Sequence, residues 1–155
     1  MEKVKEFLKL GYADGNSLDA LSHRETSDSS FYENFSLRGI RVDRVEPGLV
    51  TCSFKVPPRL TDGNGRFANG AIANLVDELG GALVQVDGIH MNVSIDMSIS
   101  FFSHAIAGDE IEITGKLLGR MGWYAGTNVI LRNKATGELI AEGRHSLFGK
   151  KLSKI

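Results

Sequence analysis

The chain has 155 residues, 42% of them hydrophobic and 24% charged, and carries a net charge of −1. That length suits one domain with its own hydrophobic core, and the near-neutral charge argues against a general nucleic-acid binder or a polybasic membrane surface. The single cysteine, Cys52, excludes an intramolecular disulfide and is no zinc site, and a reducing, intracellular compartment fits it. No stretch reaches the roughly 18 apolar residues of a membrane-spanning helix, so no membrane span is expected.

In chain order, "EKVKEFLKL" puts Val4, Phe7 and Leu8 on one helical face. It is too charged and too short for a secretory apolar core. The polar run that follows reads as loop, so residues 1–30 form a peripheral segment ahead of a single domain over 31–150. Ser29 or Ser30 suits the cap of a short helix through "FYENF". Period-two alternation then predicts a strand near Phe35 to Val45. A turn at Pro47-Gly48 follows, then a second strand from Leu49 to Val56. Cys52 lies on that strand and reads as a small buried residue rather than a nucleophile. After a loop rich in proline and glycine comes a long helix, about Gly70 to Val86, closed by Asp87-Gly88.

Four more strands follow. In "MNVSIDMSISFF", Met91, Val93, Ile95, Met97, Ile99 and Phe101 alternate with Asn92, Ser94, Asp96, Ser98 and Ser100, which predicts a half-buried strand with Ser94 and Asp96 on its polar face. "DEIEITGKLLG", "WYAGTNVILRNKA" and "LIAEGRHSLFG" are the other three. Strands grouped on both sides of one helix predict an α+β fold, an antiparallel sheet of about six strands with the long helix on one face. The chain ends in the tail 151–155. Ser153-Lys154-Ile155 differs from the peroxisomal address Ser-Lys-Leu in its last aliphatic residue, so a peroxisomal address is an expectation, with the cytosol as the alternative.

The helix carries adjacent acids, Asp77 and Glu78. At about 100° per residue, Asn74, Glu78 and Gln85 share one polar stripe opposite Ile72, Leu75, Val76, Leu79 and Leu83. Glu78 sits mid-stripe and is expected to be solvated. Asp77 falls at the margin beside Ala73, Gly81 and Val84, either semi-exposed or enclosed by a partner surface. The small residues Ala73, Gly80, Gly81 and Ala82 leave room for another backbone. Asn69 is a favourable N-cap type, and the free N–H groups of the first helical turn can polarise a carbonyl.

Four segments in combination, "GIRVDRVEPGLVTCSFKVPPRLTD", "NGAIANLVDELG", "VSIDMSISFFSHAIAGDEIEI" and "NKATGELIAEGRHS", make the chain resemble the hotdog-fold acyl-CoA thioesterases over about Phe31 to Gly149. The likeness points to the small branch typified by acyl-CoA thioesterase 13, plant members included. It implies a helix wrapped by an antiparallel sheet, in homodimers that pair further into a dimer of dimers. By the same resemblance Asp77 is the catalytic carboxylate, acting on an acyl-CoA as general base or nucleophile. Asn69 and Gly70 supply backbone N–H groups to the carbonyl, and Ser94 assists. Asp62, Ala68 and His145 lie by the bound substrate. Neither a metal nor a redox cofactor is implied.

The family's His-Gly-Gly before the helix reads Ala68-Asn69-Gly70 here, and its loop asparagine reads Asp62. Those departures bear on rate and substrate choice, and they motivate an alternative: an acyl-CoA or acyl-lipid binding protein that hydrolyses little. A dehydratase on the same scaffold lacks the histidine that such enzymes pair with their acid. Among the basic residues of the sheet, Arg120 and Lys134 are the candidates for the CoA phosphates, and Trp123-Tyr124 for an acyl or adenine contact. A Gly-x-Ser-x-Gly elbow is absent, which argues against a serine hydrolase.

Overall fold

A computed structural model of the chain describes residues 31–85 and 91–150. The expected N-terminal helix and loop, the helix-closing Asp87-Gly88 and the tail with Ser153-Lys154-Ile155 lie outside the described residues. Helix α1 (Phe31–Leu37) leads into the hairpin β1 (Ile40–Glu46) and β2 (Leu49–Lys55). A short 3-10 turn (Pro58–Leu60) precedes the long helix α2 (Asn69–Val84). The strands β3 (Met91–Phe101), β4 (Glu110–Met121), β5 (Tyr124–Asn133) and β6 (Leu139–Lys150) complete the chain. All pair antiparallel in one sheet, ordered β1-β2-β4-β5-β6-β3, with α2 packed on one face. The expected α+β arrangement is the one found.

The core lies between α2 and the sheet. Ile72, Leu75, Val76 and Leu79 meet Phe54, Ile111, Ile113, Leu131 and Ile140, all buried. The helix approaches β6 so closely that a Cβ on Gly143 would lie 2.5 Å from Val76 Cγ1. Cys52 is buried there too. Its thiol is pushed up to about 12 by burial and, secondarily, by the charge of Asp43, so it is inert at neutral pH.

Two local expectations change. The strand expected from Phe35 begins at Ile40, because the short helix runs on through Ser36 and Leu37. The alternation of "FSLRGIRV" looks like one strand. Its first part coils because a helix directs Ser36 and Leu37 inward, both fully buried, and Ser36 Oγ accepts a 3.0 Å hydrogen bond from Asn74 Nδ2. The polar stripe of α2 therefore lies beneath α1 rather than in solvent. Glu78 is half-buried, and its carboxyl is pushed up to about 7 by burial and then by the charges of Glu33 and Asp77.

Candidate active site

A further change is in β3. Cross-strand partners share a face of the sheet. Met97 pairs with His145, yet Ser94 pairs with Leu147, so three steps along β3 match two along β6. One extra residue is bulged between Ser94 and Asp96. A bulge reverses the alternation beyond it. Ser94, expected on the polar face with Asp96, therefore points to the α2 side.

There it joins Asp77 and His145. The Ser94 hydroxyl donates to Asp77 Oδ1 at 3.1 Å. His145 Nε2 lies 2.9 Å from Ser94 Oγ and 3.3 Å from Asp77 Oδ1. Because the serine proton goes to the carboxylate, Nε2 is the donor to Ser94. Burial holds the imidazole below its ordinary value, against the opposing pull of Asp77 and Asp96. His145 is 1% exposed, whereas the side chain of Asp77 is 47% exposed. The result is a carboxylate pinned at one oxygen from the protein side and open at Oδ2, which has no hydrogen-bond partner among the described residues.

Gly80, one of the helix's small residues, and Thr127, which the sequence reading did not name, support this cluster. A Cβ on Gly80 would lie 2.5 Å from His145 Nδ1 and 2.9 Å from Thr127 Oγ1. Thr127 donates to the His145 carbonyl at 3.0 Å. A glycine inside a helix costs about 1 kcal/mol, and at Gly80 the packing that offsets it is against the side chains of β5 and β6. His145 Nδ1 is buried without a partner. In the Nε2–H tautomer it is a lone pair and not an orphaned donor.

The start of α2 is a second group. Ala68, not Asn69, is the N-cap, and it makes no side-chain cap. The first helical bond runs from Ile72 N–H to Ala68 O at 3.1 Å. Asn69 and Gly70 are exposed, and among the described residues their N–H groups have no partner. Asp62 accepts the backbone N–H groups of Asn64 and Arg66 at 2.8 and 3.0 Å, which fixes the loop before the helix and holds its carboxyl below the usual range.

Arg120 and Lys134 stand apart from both groups. Arg120 donates to Val84 O at 2.9 Å, at the end of α2. Lys134 donates to Ser53 Oγ at 2.9 Å and pairs with Glu110 at 3.3 Å. Trp123 and Tyr124 sit exposed at the β4–β5 turn. His104 is an exposed loop residue, and no group of three metal-binding side chains occurs among the described residues.

A clamped, half-exposed carboxylate suits attack on an activated carbonyl, directly or through water. The chain is similar to known proteins. The thioesterase superfamily model matches residues 64–123, which include Asp77 and Ser94. Acyl-coenzyme A thioesterase 13 of Homo sapiens is 42% identical over 101 residues, covering 64% of this chain and 72% of its own. The Mus musculus protein of the same name is 39% identical over the same shares. The zebra fish thioesterase superfamily member 2 structure superposes with a TM-score of 0.71 at 32% identity, covering 80% of this chain and 88% of that one.

Proposed function

The chain belongs to the thioesterase superfamily, and from that premise we propose that it hydrolyses acyl-CoA to the free acid and CoA. The observation that carries the reading is Asp77, held at Oδ1 by Ser94 beside His145 and open at Oδ2. Acting as general base, Oδ2 takes a proton from water while the water oxygen bonds to the thioester carbon. The tetrahedral oxyanion collapses, the C–S bond breaks, and the thiolate leaves with the proton as CoA thiol. Acting as nucleophile, the same oxygen would displace CoA thiolate from the thioester carbon to form a mixed anhydride, which water then opens to the free acid and the Asp77 carboxylate, a proton from that water going to the thiolate.

The oxyanion needs donors, and the free N–H groups of Asn69 and Gly70 are the ones available. They lie eight and seven residues before Asp77, about 10–12 Å along the same helix, too far to share its carbonyl. A second copy must therefore bring its helix start to this Asp77. The free edge of β3, beside Ser94, supports pairing of that copy there. Val93 and Ile95 on that edge are 56% and 60% exposed. Met121, Tyr124, Phe148 and Val93 are successive cross-strand partners, all exposed, on the face away from α2. That apolar ladder supports a dimer of dimers. Asp62 and Ala68 frame the helix start from the loop side. Arg120 and Lys134 are the cations for the CoA phosphates, although Arg120 already donates to Val84 O and Lys134 to Ser53 and Glu110. Work on fatty acyl groups in the peroxisome is the corresponding cellular role. A fluorescent reporter ending in Ser-Lys-Ile should collect in peroxisomes, and diffuse cytosolic signal would count against that address.

Release of CoA thiol from a panel of acyl-CoAs tests the reaction. Asp77→Ala should lower the rate at least about a thousandfold and Ser94→Ala by about ten- to a hundredfold, with acyl-CoA binding retained. Equal release by wild type and Asp77→Ala would sink the reading and leave a binding protein.

A further inference from the structure

The chain contains two asparagine-glycine steps, Asn64-Gly65 and Asn69-Gly70. Asparagine is a thermolabile side chain, because the backbone nitrogen of the next residue can attack its amide carbon. Glycine in that next place has no Cβ to crowd the approach. The structure sets the two steps in different surroundings. The Gly65 N–H is engaged, donating to Asp62 O at 3.0 Å. The Asn64 N–H donates to Asp62 Oδ1 at 2.8 Å, and Gly65 O accepts from the Ala107 N–H at 3.1 Å. That step is pinned on both sides.

Asn69-Gly70 is open. Both residues are exposed, and outside the helix's own backbone nothing lies within 4 Å of a Cβ built on Gly70. The cap position belongs to Ala68, and the Asn69 side-chain amide has no hydrogen-bond partner among the described residues. The Gly70 N–H has none there either. Asn69 is also the first residue of α2. Turning it about its Cα–C bond, as ring closure on its own side chain requires, breaks one helical hydrogen bond, from Ile72 N–H to Ala68 O. Further along a helix the same rotation would break several, so such opening belongs to the helix end.

We propose that Asn69-Gly70 is a self-modification site that retires the protein as it ages. Gly70 N gives its proton to solvent and bonds to Asn69 Cγ. The bond from Cγ to the side-chain nitrogen breaks, and that nitrogen leaves as ammonia with a proton from water. Water then opens the succinimide ring at either carbonyl, leaving an aspartate or an isoaspartate at position 69. Water is the only co-reactant. The consequence for activity rests on the hydrolysis reading. The ring leaves Gly70 N without a hydrogen, and both opened products set a carboxylate beside the place where the oxyanion forms, so a donor is lost or opposed by like charge.

The test is incubation of the full chain in warm, mildly alkaline buffer, sampled over time by peptide mass spectrometry, an isoaspartate assay and thiol release. Asn69 should exchange its amide for a carboxyl at least about tenfold faster than Asn64, with isoaspartate appearing at position 69. Gly70→Ala, whose methyl the open space accepts, should slow that exchange about tenfold. Thiol release by wild type should decay in step with the loss of Asn69, while Gly70→Ala holds its own starting rate over the same period. An intact Asn69 in aged wild type overturns the proposal, and so does exchange at Asn69 no faster than at Asn64. Thiol release that outlasts the loss of Asn69 overturns the retirement. A fresh chain that releases no thiol from any acyl-CoA sinks the hydrolysis reading instead, and the mass and isoaspartate readings still decide the modification. Should Gly70→Ala fail to fold, the comparison of Asn69 with Asn64 in wild type decides the matter.

Discussion

Asp77 and Glu78 stand side by side on α2 and meet different surroundings. Asp77 is held by a hydroxyl and an imidazole and keeps one oxygen open. Glu78 is pressed toward α1, near Glu33, and resists ionisation until about pH 7 against an ordinary 4.5. The sign follows from linkage: the folded state holds this proton more tightly, so stability is lost as pH rises from about 4.5 to about 7. Glu78→Gln removes that loss. Its melting temperature should exceed wild type by a few degrees at pH 8 and show no gain at pH 4.5, as read by thermal melts across pH. A constant difference across the range would show that Glu78 is solvated after all. His145 slopes the other way: with its folded value depressed, the stability it contributes is complete above pH 6.5 and fades as the pH falls.

At the scale of elements, β3, β6 and α2 meet to make the site, and each contributes a departure from regularity. β3 contributes its bulge, which turns Ser94 to the face that carries α2. β6 contributes His145, and α2 contributes the bare Cα of Gly80 that lets the imidazole in. Gly80→Ala should be among the most harmful small substitutions. The added methyl gains about 1 kcal/mol of helix propensity, but it displaces His145 or Thr127 at a cost of about 1–3 kcal/mol. Thiol release should fall at least about tenfold and the melting temperature should drop. An active, equally stable Gly80→Ala would mean that His145 does not need its present seat. The bulge was not legible in "MNVSIDMSISFF", whose alternation is unbroken. A bulge is a relation to the partner strand, and nothing in one strand's pattern records it.

For the whole molecule, the proposed sharing of the site between two copies rests on distance: the Asp77 carboxylate and the free helix-start N–H groups are about 10–12 Å apart along one helix. Ile95→Lys on the open edge of β3 should leave the monomer folded and block pairing through that edge. Light scattering should then show a smaller particle, and thiol release should fall by about a hundredfold or more. A monomer with full activity would refute the shared site. By itself the sequence determined six strands, one long helix, their antiparallel α+β arrangement and the separate standing of Asp77, because periodicity, turn residues and wheel position are local. The same local rules explain where it fell short. They drew α1's end as strand, left Glu78 in water and placed Ser94 on the outer face. Only the tertiary structure decided those points, and only it joined Ser94 to His145, 51 residues away. Burial, strand register and hydrogen-bond partners are set by groups distant along the chain, and they exist only once the helix is seated on the sheet.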